Sequence, residues 1–301
     1  MSPAAKAGDA MKKRWWAVLV VAIAGLAAGS YGLRPVSGPA RDLTLVGDVA
    51  RGEALIALGG CVACHTDSAN GRARLSGGPG LETAFGTFVA PNITSDTEAG
   101  IGAWTLEQFS AALSDGMGPQ GHLYPVFPYE HYTLMSDQEV ADLYAALMAS
   151  EPVPQPAGQS DIRFPFNIRL LMAGWKALFF HPQRFSPEPG RSALYNRGKY
   201  LAYGPAHCVA CHSPRNGLGA LDWDRAFTGS PGGTGGRAPD IGAAALMAEG
   251  YDVPTLMQTL RDGFTPDFDV LGGPMGEVIA ESTAHWSDAD LEAVATYLLE
   301  R

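Results

Sequence analysis

Two identical pentapeptides, Cys61-Val62-Ala63-Cys64-His65 and Cys208-Val209-Ala210-Cys211-His212, constrain this 301-residue chain more than any other feature. They use all four of its cysteines. None remains for a structural disulfide, so the cysteine usage is chemical rather than architectural. Two thiols spaced by two residues can each form a thioether to one vinyl group of the same porphyrin. The adjacent histidine is then held on the axis of the iron as its proximal ligand. A thioredoxin-like redox pair wants a strand–helix context, which the sequence does not offer. A zinc site could use the cysteine pairs, but a histidine directly after both would then be coincidence. The pentapeptides therefore predict two covalently bound haem c groups, held by Cys61 and Cys64 and by Cys208 and Cys211, with His65 and His212 on the irons.

The pentapeptides sit in a longer repeat. Arg51-Gly52 precedes Cys61 by ten residues and Arg197-Gly198 precedes Cys208 by eleven. Pro91-Asn92-Ile93 follows His65 at an offset of 26, and Pro239-Asp240-Ile241 follows His212 at 27. Leu113-Ser114-Asp115-Gly116 recurs as Leu260-Arg261-Asp262-Gly263, and Ser136-Asp137 recurs as Ser287-Asp288. Matches in the same order at nearly equal spacing imply two copies of one domain. A ligating histidine needs its other ring N–H held, normally by a carbonyl. Pro91 and Pro239, which keep their offset in both copies, are the candidates to present it.

Each copy ends in a helix with a legible start. Ser136-x-x-Glu139 is a capping box and Ser287-x-x-Asp290 its close variant. Val140, Leu143, Tyr144, Leu147 and Met148 then fall on one face, as do Leu291, Val294, Ala295 and Leu298. Each copy opens with a helical stretch, Asp48 to Leu58 and Ala193 to Tyr203. Gly52 and Gly198 there would let Tyr144 and Tyr297 of the last helices approach closely, so first and last helices are expected to cross. The rest is rich in Gly and Pro with little strand signal, which makes the class all-α with long loops. The division is residues 35–150, a linker at 151–189 with a short apolar helix over 168–180, and residues 190–301. That helix packs between the copies or against a partner.

The sixth ligand decides between electron transfer and catalysis, because a methionine thioether closes the iron and raises its potential. In the second copy Met275, expected in a loop before the final helix, is the best candidate. Met247 and Met257 lie in helical stretches and are expected in the core. In the first copy Met135, just before the Ser136 cap, is preferred, with Met117, His122, His131 or an open site as alternatives.

The formal net charge is −10. Lys6, Lys12, Lys13, Arg14 and Arg34 against Asp9 give +4 before Pro35, which leaves −14 for the remainder. An acidic surface repels phosphate backbones and sets nucleic-acid binding aside. Residues 1–34 form an N-terminal membrane anchor or signal segment. Lys12, Lys13 and Arg14 precede an apolar stretch from Trp15 to Leu33, which as a helix would span roughly 28 Å against a bilayer core of about 30 Å. The basic flank stays cytoplasmic, which sends the rest to the periplasm. A cleaved signal peptide is the alternative.

The chain resembles the di-haem portion of the cytochrome c subunits of bacterial membrane-bound alcohol and gluconate dehydrogenases. It is similar also to the cytochromes that accompany molybdenum hydroxylases and aldehyde dehydrogenases. Carrying the likeness are Pro91-Asn92-Ile93-Thr94 with Gly100 to Trp104, His122-Leu123-Tyr124-Pro125 through Tyr129, and Trp175-Lys176 to Phe180. Asn196-Arg197-Gly198, Cys208 to Asn216 and Gly272 to Glu277 extend it over about residues 46 to 300. The resemblance implies an N-terminal transmembrane helix followed by two tandem class I cytochrome c domains, with Trp104 and Arg215 near haem propionates. It implies an electron-transfer subunit at the bacterial inner membrane. Such a subunit takes electrons from a periplasmic dehydrogenase or respiratory complex and passes them to a soluble cytochrome c or a terminal oxidase. Two departures matter. The third Cys-x-x-Cys-His domain of three-haem relatives is absent, so their quinone reduction is not carried over. Phe127 also stands where alcohol-dehydrogenase relatives have a methionine, and relatives with phenylalanine there often carry one just before the last helix, as Met135 does. The rival class is a haem enzyme, a di-haem peroxidase or thiosulfate-oxidising cytochrome, with an open site at the first haem.

Overall fold

The computed structural model describes residues 36–232 and 237–301. In the first copy, α1 (Val49–Leu58) starts where the Asp48 side chain accepts from the Arg51 N–H. The pentapeptide itself forms the short helix α2 (Cys61–His65). A hairpin of β1 (Gly80–Thr83) and β2 (Gly86–Val89) follows, paired Gly80 with Val89 and Thr83 with Gly86. Helix α3 (Leu106–Asp115) opens on a Thr105–Gln108 capping box and closes at Gly116, whose φ of 60° suits glycine. Then come β3 (Met117–Gly118) against β4 (Gly121–His122), α4 (Tyr129–Tyr132) and α5 (Asp137–Met148). The expected Ser136–Glu139 box caps α5. Strand β5 (Asp161–Ile162) joins the hairpin, giving the order β1-β2-β5.

After the linker helix α6 (Leu171–Phe179), the second copy holds α7 (Ala193–Tyr203), α8 (Cys208–Cys211), α9 (Ala243–Ala248), α10 (Val253–Asp262), α11 (Gly273–Glu281) and α12 (Asp288–Glu300). The molecule is largely helical, but the all-α expectation needs correcting for the small sheets. Strands of two to four residues show no alternation of their own. β5 pairs with β2 across more than 70 residues of chain, so the local pattern carries no trace of it.

First and last helices pack closely in each copy, α1 on α5 and α7 on α12. A Cβ on Gly52 would lie 2.0 Å from the Asp142 carbonyl oxygen, and one on Gly198 would lie 1.9 Å from that of Ala293. The partner of Gly52 is not Tyr144, as expected, but the Asp142 backbone and Ala146. In the second copy the Tyr297 Cβ does sit against Gly198. Tyr144 instead packs on Phe109, ring centroids 5.4 Å apart, and donates to the Trp104 carbonyl at 2.7 Å.

One apolar core runs through both copies, from Ile56, Leu113 and Val140 to Leu201, Leu291 and Val294. A second, smaller cluster (Tyr129, Met172, Trp175, Phe180, Ala220) seats α6 against both. There the Trp175 indole N–H donates to the Leu218 carbonyl at 2.9 Å. The buried Lys176 ammonium donates to the Asp115 and Gly116 carbonyls at 2.8 and 3.0 Å, satisfying the C-terminus of α3 with a cation. Among the described residues no helix is long and apolar enough to cross a membrane; the apolar stretch from Trp15 to Leu33 lies outside them.

Candidate haem attachment sites

Each pentapeptide helix is entered through a left-handed residue. Gly60 (φ 58°) precedes Cys61 and His207 (φ 40°) precedes Cys208. A histidine in that region is uncommon. Its ring lies 6.0 Å from that of His131 and 5.8 Å from that of Tyr132, so packing from the first copy accompanies the strained backbone.

The two histidines stand in matching settings. His65 Nδ1 is 2.7 Å from the Pro91 carbonyl oxygen and His212 Nδ1 is 2.9 Å from that of Pro239. A carbonyl at Nδ1 fixes the tautomer with the proton there and leaves the Nε2 lone pair free for a metal. Burial lowers the pKa of both rings, with the proline carbonyls opposing, so the neutral, ligating form is favoured. The cysteines are unpaired. Burial pushes the Cys61 and Cys208 thiols up to about 12. Cys64 is raised by burial first and then by Cys211 and Glu277, which brings the two attachment sites into electrostatic reach of one another. Neutral thiols are the reverse of the low-pKa sulfur of a catalytic dithiol. Among the described residues no three His, Cys, Asp or Glu side chains converge on a metal-holding point, so the zinc alternative finds no ligand set. Two thiols and one freed imidazole nitrogen per copy fit haem c.

The methionines and the remaining histidines are distributed as follows. Met135 is 1% exposed in the core, with its carbonyl oxygen accepting from Arg41 at 2.7 Å. Phe127 is half-buried, its ring 5.5 Å from that of Tyr132. Met117 is half-buried in β3. His122 is also half-buried, its Nδ1 without a partner among the described residues. His131, one of the alternative sixth ligands, is 1% exposed, with Nδ1 2.9 Å from the Tyr203 carbonyl oxygen of the second copy. His207 is likewise an interface residue, whereas His181 and His285 are exposed. Met275 lies in the first turn of α11 rather than in a loop. Gly272 caps that helix and Pro274 sits in its first turn, where a missing N–H costs nothing. Met275 packs half-buried against the core, and α11 lies against α2 of the first copy. Met257 packs on the core, but Met247 is 57% exposed on α9, because α9 has only six residues and buries just Leu246.

Trp104 is half-buried over the first-copy core. Arg215 donates to the Gly219 carbonyl at 2.7 Å and to that of Ala210, inside the second pentapeptide, at 3.0 Å. Sequence reasoning missed the cluster that joins the two motifs: Tyr132, His131, His207 and Glu130. Their spacing carries no helical or metal-site period, since the cluster draws on both copies.

Fold and site together define a cytochrome c, a helical domain that carries haem on a Cys-x-x-Cys-His helix. Residues 49–150 match the family model for cytochrome c. A diheme cytochrome c-type protein of Cereibacter sphaeroides is 42% identical over 93% of this chain and 94% of its own length. The cytochrome subunit of fructose dehydrogenase from Gluconobacter japonicus is 37% identical over 83% of this chain. One of the subunits of nicotinate dehydrogenase from Pseudomonas putida is 37% identical over 99% of it. The chain spans 52% and 26% of the lengths of those last two relatives. It belongs to the diheme cytochrome c family that includes the cytochrome c subunits of alcohol, fructose and gluconate dehydrogenases.

Proposed function

We propose that this chain is a membrane-anchored, periplasmic di-haem cytochrome c that carries electrons from a dehydrogenase to a soluble cytochrome c or a terminal oxidase. The observation that carries the reading is the matched setting of the two pentapeptides, each with its histidine Nδ1 on a proline carbonyl. When bound, the haems supply reversible one-electron chemistry. The protein's part is to hold and tune them. Cys61, Cys64, Cys208 and Cys211 would make the covalent attachment, and His65 and His212 would each ligate an iron. Pro91 and Pro239 keep those rings in one tautomer and orientation. Met135 and Met275 would supply the second ligand to each iron, which would keep substrate from the metal and leave the chain without bond chemistry of its own. Trp104 and Arg215 would hold the propionates. The basic residues Lys12, Lys13 and Arg14 ahead of Trp15 to Leu33 support an inner-membrane anchor with the haem copies in the periplasm.

Intact mass should show two added haems. Carbon monoxide given to the reduced protein should bind neither rapidly nor stoichiometrically. Met135→Ala and Met275→Ala should each open one site to it, with the sulfur-to-iron charge-transfer band of the oxidised form halved. Rapid binding by the unaltered protein would replace this reading with a haem enzyme open at the first site.

A further inference from the structure

Helix α6 has two faces. Met172, Trp175 and Lys176 are buried against the two copies. On the other side Leu171 and Leu178 are exposed, the latter at 67%, and just ahead of the helix so are Phe164 (79%), Ile168 and Leu170. Five large apolar side chains within one short stretch exceed the scattered exposure that needs no explanation. The same stretch has a charge unlike the rest of the molecule. Between Asp161 and Glu188 there is no acidic residue, in a chain of net charge −10. Arg163 and Arg169 stand next in sequence to the exposed Phe164, Ile168 and Leu170, whereas Lys176 is buried on the inner face and Arg184 pairs with Asp137. An apolar face with basic flanks is the pattern of a segment that lies in a membrane interface.

The path of the chain says which surface covers it. Val36 packs on the cluster that seats α6, and Gly38 is pinned by its N–H to Asp115 Oδ1 at 2.9 Å. The apolar stretch ends at Leu33, three residues before Val36, and three residues reach at most about 11 Å. Wherever residues 15–33 enter a bilayer, α6 is tethered beside that point.

We propose that the outer face of α6, with Phe164, Ile168 and Leu170, rests in the headgroup layer of the bilayer and seats the haem-bearing copies against the lipid surface. This rests on the reading of residues 15–33 as an anchor. The test uses the full haem-loaded chain in vesicles of mixed phosphatidylcholine and phosphatidylglycerol, spin-labelled at Leu178→Cys or, as a control, at the 90% exposed Phe268 through Phe268→Cys. Lipid-soluble oxygen and a water-soluble nickel chelate then compete to relax each label. The oxygen-to-nickel ratio should be several-fold higher at 178 than at 268. Equal ratios in protein that floats with the vesicles would overturn the proposal and leave the anchor standing. A label at 178 shielded from both probes would also overturn it, by showing a protein surface there. Protein that does not float with the vesicles would sink the anchor and this proposal together.

Discussion

The ring of Tyr132 lies 5.8 Å from that of His207, and its hydroxyl reaches the Gly59 carbonyl oxygen at 3.5 Å. One side chain thus touches the residue before Cys208 and the residue two before Cys61. Around it the contacts continue, with Ser282 at the end of α11 donating to the Ala57 carbonyl at 2.6 Å and the Trp286 indole N–H donating to the Ser282 hydroxyl at 3.2 Å. The surface that joins the copies and the approaches to both attachment helices are the same set of residues. Damage to that surface should therefore be felt at both sites.

Tyr132→Phe keeps the ring and loses only a long hydrogen bond, so it should cost less than about 1 kcal/mol. Tyr132→Ala empties a buried position and should cost about 3–5 kcal/mol. Guanidinium unfolding of the haem-loaded protein, followed by haem absorbance, measures both. Equal losses would show that the hydroxyl, not the packing, holds the copies together.

Gly52→Ala and Gly198→Ala each place a Cβ about 2 Å from a backbone oxygen of the crossing helix. Neither oxygen can move without shifting its helix, so each variant should lose at least about 2–3 kcal/mol. Gly198→Ala should lower the unfolding transition of the second copy, measured by limited proteolysis and the mass of the surviving fragment. An unchanged transition would mean that α7 and α12 can separate freely.

What could be read from the sequence follows from range. The pentapeptides, the Ser136–Glu139 box and the apolar stripes of α5 and α12 are local patterns, and a local pattern survives in any fold. The equal offsets of Pro91 and Pro239 could be read because duplication supplies an internal comparison within one chain. His131, Glu130 and the Ser282 contact to Ala57 could not, because each acquires its role from a partner at least 70 residues away. Met247 shows the opposite error. Apolar identity in a helical stretch suggests burial, yet a six-residue helix has room here for one buried side chain.

Lys176 is fully buried, and burial lowers its pKa to about 8. It is held by two helix-terminal carbonyls with the Tyr129 ring 5.6 Å away. Lys176→Met keeps the volume but leaves both carbonyls unsatisfied, which should cost about 1–3 kcal/mol. Hydrogen exchange should show the last turn of α3 fraying in that variant at neutral pH. An unchanged α3 would mean that water replaces the ammonium.

The pH profile of stability should be set by three groups at the interface, two histidines opposed by one carboxyl. Burial first, then His207, pushes the His131 pKa down to about 3; burial pushes His207 down to about 4. Both rings are neutral when folded but take up a proton near pH 6.5 when unfolded. Their stabilisation is therefore full above about 6.5 and is lost as pH falls from there. Glu130 runs the other way. It is 7% exposed, and burial raises it to about 7 with Arg215 opposing. Its carboxyl stays protonated when folded but ionises near 4.3 when unfolded, so its contribution is full below about 4.3 and is lost as pH rises towards about 7. The lost amount is on the order of 3 kcal/mol. Between about pH 4.5 and 6.5 two rising histidines act against one falling carboxyl, so the unaltered protein should gain stability with pH by about 1.4 kcal/mol per pH unit. Glu130→Gln removes the falling component and should gain stability about twice as steeply from about pH 4.5 to 6.5, with its advantage over the unaltered protein largest at about pH 7 and above. His131→Gln leaves one histidine against the carboxyl, so its melting temperature should be nearly flat from about pH 4.5 to 6.5. Thermal melts followed by haem absorbance across that range decide the matter. A Glu130→Gln profile parallel to that of the unaltered protein would mean that the carboxylate is ionised throughout and paired with Arg215.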